Sequence, residues 1–303
     1  MAPPAAALSS LSNALATVEQ LSSSSSSIDG VAPDLEASIR FAGAQLTQAA
    51  GILLRLSQDI IAQAIVTFTR FWAGPEGGSL RIYSVKDVSA AALYMTAKLS
   101  FEPTSPRSVL NVYALLLSKE ASPLWFVNPR RQDPTDKPAP APETYYLSEG
   151  DYQTQRQVLF RIESVILRTL GFNTHVVLPH TVALTYLQTL GVSTPALANR
   201  VFEHLNAGLL SPQLLYLTHQ PNALAVAAIY LAAREVNVKL VDSEWWEVFD
   251  VDREQLGFLV VGMKSMEGFA RAEKVKWETR TVPLVVEDVD AEIERRRMME
   301  EGG

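Results

Sequence analysis

Residues 91–98 read Ala91-Ala92-Leu93-Tyr94-Met95-Thr96-Ala97-Lys98, and residues 227–234 read Ala227-Ala228-Ile229-Tyr230-Leu231-Ala232-Ala233-Arg234, an offset of 136. Small, apolar, aromatic and basic positions match one for one. Both stretches are nearly apolar all round, with alanines on several faces. A helix of that composition sits at the centre of a bundle, where small side chains let neighbours approach. Each ends in a cation, which suits the negative end of the helix dipole. Two such helices, each ringed by about four others, predict an all-α fold with two similar helical repeats in tandem.

The surrounding sequence supplies the ring. Ile60, Ile61, Ala64, Ile65, Phe68, Phe71 and Trp72 fall at spacings of three and four, one face of a helix that Gly74, Pro75, Gly77 and Gly78 then stop. Asp34 is the expected N-cap of an earlier helix. Further helices are expected over 85–99, 106–119, 151–170, 179–190, 194–209, 221–236, 243–249 and 253–270. Pro106 suits a first turn, and Gly171 suits the residue just past a helix end. No alternating strand pattern interrupts them. The prolines between Ser122 and Gly150 predict a long loop.

The ends read differently. Residues 1–33 are alanine- and serine-rich, with an unbroken run from Ser22 to Ser27. Such a composition predicts a mostly flexible segment with at most a short helix near 8–21. The stretch 276–303 predicts a charged tail, a solvated helix or a frayed end.

Composition narrows the function. The chain has 303 residues, of which 48% are hydrophobic and none is cysteine, and its formal net charge is −7. Thiolate metal sites, disulfides and cysteine nucleophiles are excluded. The acidic balance argues against general nucleic-acid binding, which needs a basic stripe. The longest apolar run, Ala223 to Ala233, is too short to span a bilayer, and residues 1–15 lack the basic start of a signal peptide. No membrane association is expected. The four histidines, His175, His180, His204 and His219, lack helical zinc spacing. Asp250 and Asp252 lack the rest of a calcium loop and are expected to end one helix and cap the next. No glycine-rich phosphate loop and no nucleophile elbow appear. The expectation is a non-enzyme without catalytic residue, metal or cofactor.

Three matches in order, one of them the second central stretch, resemble a known family. The stretch from Gln48 to Leu56, the junction Leu170-Gly171-Phe172 with His175 and Pro179-His180, and the helix Ala228 to Arg234 are similar to the cyclins, most of all to their L subfamily. The resemblance covers roughly residues 39–271. It implies two five-helix cyclin boxes, placed here at 34–172 (with the proline-rich loop 122–150) and 173–275. It also implies a regulatory subunit that packs against the C-helix of a cyclin-dependent protein kinase. Such packing completes the kinase's own lysine–glutamate pair and shifts it toward the active state.

The resemblance assigns kinase binding to Lys98 and Glu163, with Phe101 and Glu102 standing where the family has two glutamates. A heterodimer with a cyclin-dependent kinase, nuclear, regulating RNA polymerase II transcription, is the function it implies. A link to pre-mRNA splicing is a weaker expectation, because no arginine–serine-rich extension follows Gly303. Two other readings stay open: a scaffold of the same fold, and a nucleic-acid-binding relative like transcription factor IIB. Ser105-Pro106, Ser122-Pro123 and Ser211-Pro212 read either as proline-directed phosphorylation motifs or as ordinary turns. Arg130-Arg131 and Arg295 to Arg297 are short basic runs that could serve nuclear import.

Overall fold

The computed structural model describes residues 11–101, 103–129, 145–241 and 243–301. Among these the regular structure is entirely helical. In chain order the helices are α1 (Val18–Ser22), α2 (Ser25–Ile28), α3 (Pro33–Leu53), α4 (Gln58–Phe71), α5 (Val85–Lys98), α6 (Pro106–Leu116) and α7 (Glu149–Thr169). They continue with α8 (Pro179–Thr189), α9 (Pro195–Gly208), α10 (Leu215–Thr218), α11 (Pro221–Glu235), α12 (Arg253–Lys276) and α13 (Val286–Glu301). The described residues divide into two compact units. One holds 18–174 with 270–301, and the other holds 11–17 with 175–269.

In the first unit α5 is the central helix, with α3, α4, α6 and α7 packed on it. Val88 to Leu93 are buried without a break, as the alanine-rich pattern requires. A polar thread crosses this core. Thr47 Oγ1 donates to Gly43 O at 2.9 Å and lies 2.7 Å from Ser89 Oγ, which lies 2.6 Å from Tyr113 Oη. The thread joins α3, α5 and α6, and each hydroxyl in it has a partner, as burial demands. Burial pushes the Tyr113 phenol up, against the opposing hydrogen bonds from Ser89 and Thr47.

In the second unit α11 takes the same place, packed by α8 and α9, with Ala223 to Ile229 all buried. Pro179, Pro195 and Pro221 each open a helix, where the missing N–H costs nothing. Gly171, with φ +55°, follows the end of α7 in the left-handed conformation expected of it.

Several local expectations are corrected. Asp34 is not an N-cap. Ala32 holds that position, Pro33 is the first helical residue, and the Asp34 carboxylate serves long-range ion pairs. The expected helix at 243–249 is only a 3-10 turn over Glu247–Phe249, ended by Asp250 at φ +54°. α12 runs on past residue 270 to Lys276.

The serine run is ordered rather than flexible. Ser24 Oγ donates to Glu36 Oε2 at 2.8 Å and accepts from Ser27 N at 3.0 Å. Ser25 Oγ donates to the carbonyls of Pro75 and Gly77, and the fully buried Ser26 Oγ accepts from Leu80 N at 3.1 Å. These bonds replace the apolar burial that the composition lacks. Residues 11–17 are likewise tied to the second unit. The buried Asn13 side chain donates to Val177 O at 2.8 Å and accepts from Val177 N at 2.7 Å. The expectations for residues 1–10 and 130–144, including Arg130, Arg131 and most of the proline-rich loop, fall outside the described residues.

The charged tail is a docked helix. Glu292 of α13 is 7% exposed at its side chain and accepts from Arg280, Arg295 and Arg296. Arg296 and Lys276 both reach Asp34 at the start of α3, at 2.9 and 2.8 Å. Trp277 is fully buried, and the Arg280 guanidinium lies 4.7 Å from its ring centroid. Two backbone bonds, Val282 N to Phe126 O and Lys86 N to Leu284 O, fix the connection between α12 and α13. Burial alone would raise the carboxyls of Asp34 and Glu292. Their arginine and lysine partners overcome it and hold each at about 2.

Candidate partner-binding site

α5 brings its charge to the surface at its last residue. The Lys98 side chain is 36% exposed, and its Nζ donates to Glu163 Oε1 of α7, whose side chain is 9% exposed. The Nζ also lies 5.5 Å from the Tyr94 ring centroid, and Tyr94 packs on Phe160 with centroids 5.9 Å apart. The cation is therefore held by a carboxylate and an aromatic ring on two helices. Because these groups already satisfy one another, the pair is organised before any partner arrives.

Beyond Lys98 the helix closes. Leu99 is the C-cap, and Ser100 Oγ donates to Ala97 O at 2.7 Å. Leu99 and Phe101 then project into solvent, and Phe101 has no shielding at all. Glu102 lies outside the described residues. Three of the four expected contact residues thus lie close together in the chain or in space, with Lys98 at the join.

Sequence reasoning missed the other wall. A groove of about 570 Å³ runs beside this helix end, lined by Arg55, Asp59, Ile60 and Gln63 on one side and by Met95, Leu99 and Phe101 on the other. Ile52 and Leu53 stand exposed at the end of α3. Arg55, at φ +56°, turns the chain there, and Leu56 N donates back to Gly51 O. The usable signal was the run Ile52-Leu53-Leu54, too apolar for a helix end that faces water. Exposed apolar side chains beside a fixed ion pair are the chemistry that protein docking uses, the apolar part offering area and the charges offering register.

The remaining polar candidates are structural. His180 Nε2 lies 2.9 Å from Asn206 Oδ1 and its ring packs on Phe202, and burial pulls it below the usual histidine range. Asp252 caps α12 by accepting from Gln255 N at 2.7 Å. Among the described residues no cluster of metal-ligating side chains occurs, and no helix is long and apolar enough to cross a membrane.

No protein-family model matches the chain. It is 28% identical over 260 residues to the cyclin L homolog cyl-1 of Caenorhabditis elegans, covering 83% of this chain and 52% of that protein. It is 30% identical over 251 residues to human cyclin-L2, covering 82% of this chain and 44% of that one. The chain belongs to the cyclin family. This cyclin spans about half the length of the relatives it matches. Its fold matches a chain of the yeast RNA Pol II CTD kinase CTDK-1 complex at a TM-score of 0.64, covering 97% of this chain and 84% of that one, at 11% identity. The tandem all-α architecture of the cyclins is therefore the fold of this chain.

Proposed function

We propose that this chain is the regulatory subunit of a cyclin-dependent protein kinase and contributes no catalytic group of its own. The observation that carries the reading is that the exposed apolar side chains of Leu99 and Phe101 line a groove of mixed polarity beside the Lys98–Glu163 pair. In this reading the apolar wall takes the kinase's C-helix. Lys98, Phe101, Glu102 and Glu163 fix the register of the adjoining kinase loop. The cyclin then acts by population shift, binding the active arrangement of the kinase better than the inactive one. The likeness to a chain of a polymerase-tail kinase complex supports RNA polymerase II transcription as the setting, and the nucleus as the place. A role in pre-mRNA splicing is the narrower form of the same reading.

The test is affinity capture from the source cells, followed by a kinase assay on a polymerase C-terminal repeat peptide. Lys98→Glu alone would set two carboxylates side by side, so it is compared with the charge swap Lys98→Glu/Glu163→Lys. The swap keeps the internal pair while reversing what the partner meets. Loss of kinase binding in a folded swap variant, on the order of 2–5 kcal/mol, is the expected result. Capture of a complex that lacks any cyclin-dependent kinase would replace the activator reading with the scaffold.

A further inference from the structure

Four serine- or threonine-proline pairs lie among the described residues: Ser105-Pro106, Ser122-Pro123, Thr194-Pro195 and Ser211-Pro212. The fold separates them sharply. Ser122 is fully buried, its hydroxyl donating to Leu116 O at 2.5 Å and accepting from Leu124 N. Ser211 is 5% exposed and its hydroxyl donates to Gln213 Oε1 at 2.6 Å. A kinase cannot reach either hydroxyl without unfolding the chain around it. Ser105 and Thr194 are exposed.

Ser105 and Thr194 share an extended backbone and an N-cap position, and differ in the burial and charge of the turn that follows. Residues 103–105 are outside any helix, and Ser105 itself is extended, with φ −72° and ψ 148°. Its Oγ faces solvent at the head of α6, where it accepts from Ser108 N at 3.1 Å and lies 2.8 Å from Ser108 Oγ. Burial in α6 begins only at Val109, so the first turn can fray and present an extended Ser-Pro segment while the rest of the helix stays anchored. A guanidinium stands two residues on. Arg107 lies 4.0 Å from the Tyr152 ring centroid and pairs with the exposed Glu149. No cation occupies the first turn of α9 after Thr194, which runs Pro195-Ala196-Leu197-Ala198.

We infer that Ser105 is a phosphorylation site for a proline-directed protein kinase, and that the phosphate stays at the head of α6 with Arg107 as its counter-charge. In the transfer, Ser105 Oγ forms a bond to the γ-phosphorus of magnesium-bound ATP. The bond from that phosphorus to the bridging oxygen breaks, ADP leaves, and the kinase's catalytic carboxylate takes the hydroxyl proton. The product carries close to two negative charges at a helix N-terminus, where the dipole and the free N–H groups favour them. It competes with Glu149 for Arg107, so the modification loosens the tie between the first turns of α6 and α7. Any proline-directed kinase could act, so the site does not depend on the partner proposed above.

The experiment incubates the purified full chain with magnesium ATP and a purified proline-directed kinase, folded in one arm and held unfolded in urea, with brief dilution for labelling, in the other. Phosphate is mapped by peptide mass spectrometry. The expected result is phosphate on Ser105 of the folded chain, lost in Ser105→Ala, with Ser122 and Ser211 labelled only in the unfolded arm. A folded chain unlabelled at Ser105 overturns the inference, whether or not Thr194 is labelled. So does equal labelling of Ser105, Ser122 and Ser211 in the folded chain, or failure of the unfolded chain to be labelled at Ser105.

Discussion

Lys98 at the end of α5 and Glu163 in the middle of α7 stand 65 residues apart in sequence and form one ion pair. The two members are not equivalent, because the carboxylate is the more buried. Lys98→Met strands a buried charge, whereas Glu163→Gln leaves Lys98 a hydrogen-bond acceptor and enough exposure to be hydrated. We expect Lys98→Met to cost about 1–3 kcal/mol of stability, and Glu163→Gln less than about 1 kcal/mol. Urea denaturation of the two variants checks the order. Equal costs would mean that the pair acts as an exposed one.

Acid should loosen α13 before it unfolds the bundle. Asp34 and Glu292 ordinarily titrate at 3.8 and 4.5, and in the folded chain both lie at about 2. A lowered carboxyl contributes stability that is fully present above its unfolded value and is lost as pH falls through its folded one. The window is therefore from about pH 4.5 down to about 2. Glu292 dominates, since Asp34 is 57% exposed and its pairs are screened by solvent, and the combined effect is on the order of 1–2 kcal/mol. Hydrogen exchange along α13 should quicken across that window in the parent chain and change little across it in Glu292→Gln.

Gly43 is where α3 comes close to its neighbours. A Cβ added there would meet Phe68 Cζ at 2.4 Å and Val85 Cγ1 at 2.5 Å, and neither side chain has room to move because both are buried. Gly43→Ala is expected to destabilise by about 1–3 kcal/mol through overpacking, despite alanine's better helix propensity. A raised denaturation midpoint would show that the α3–α5 contact is slack.

The serine run should resist proteases as the helices do. Ser26→Ala removes the acceptor for the buried Leu80 N–H and should cost about 1–3 kcal/mol. It should also turn residues 18–33 into an early cleavage segment. Cleavage there at the same rate in both proteins would mean that the hydroxyl carries no structural role.

Local rules read the architecture well and the long-range chemistry poorly. The nearly all-apolar, alanine-rich residues 91–98 and 227–234 marked both central helices, and the prolines at 106, 179 and 221 open helices where their ring geometry suits. Asp34 was misread because a local N-cap rule cannot know that Lys276 and Arg296 lie 242 and 262 residues away. The serine run was misread because composition counts apolar area and overlooks hydroxyls that satisfy backbone groups elsewhere. The α13 sequence looked solvated because a charge pattern at spacings of three and four does not say that three arginines will enclose one carboxylate. At the candidate site, Lys98 and Glu163 came from a family resemblance, and their contact with each other came only from the fold. Arg55 and Asp59 carry no periodic signal, and only the meeting of the turn after α3 and the start of α4 with the end of α5 brings them into one groove with Leu99 and Phe101.

The clamp between Asp34 and Arg296 also sets an order of events during synthesis. A ribosome makes the start of α3 early and reaches Arg296 only 262 residues later, roughly 10–50 s at ordinary elongation rates. For that interval the N-terminal helices are present without the C-terminal helix that completes their own unit, while the residues of the other unit emerge in between. The acidic head of α3 stays without its Arg296 partner until α13 has emerged. The unit that holds residues 18–174 therefore closes only after residues 175–269 have been made, and a cell that made this protein slowly would expose that open seam for longer.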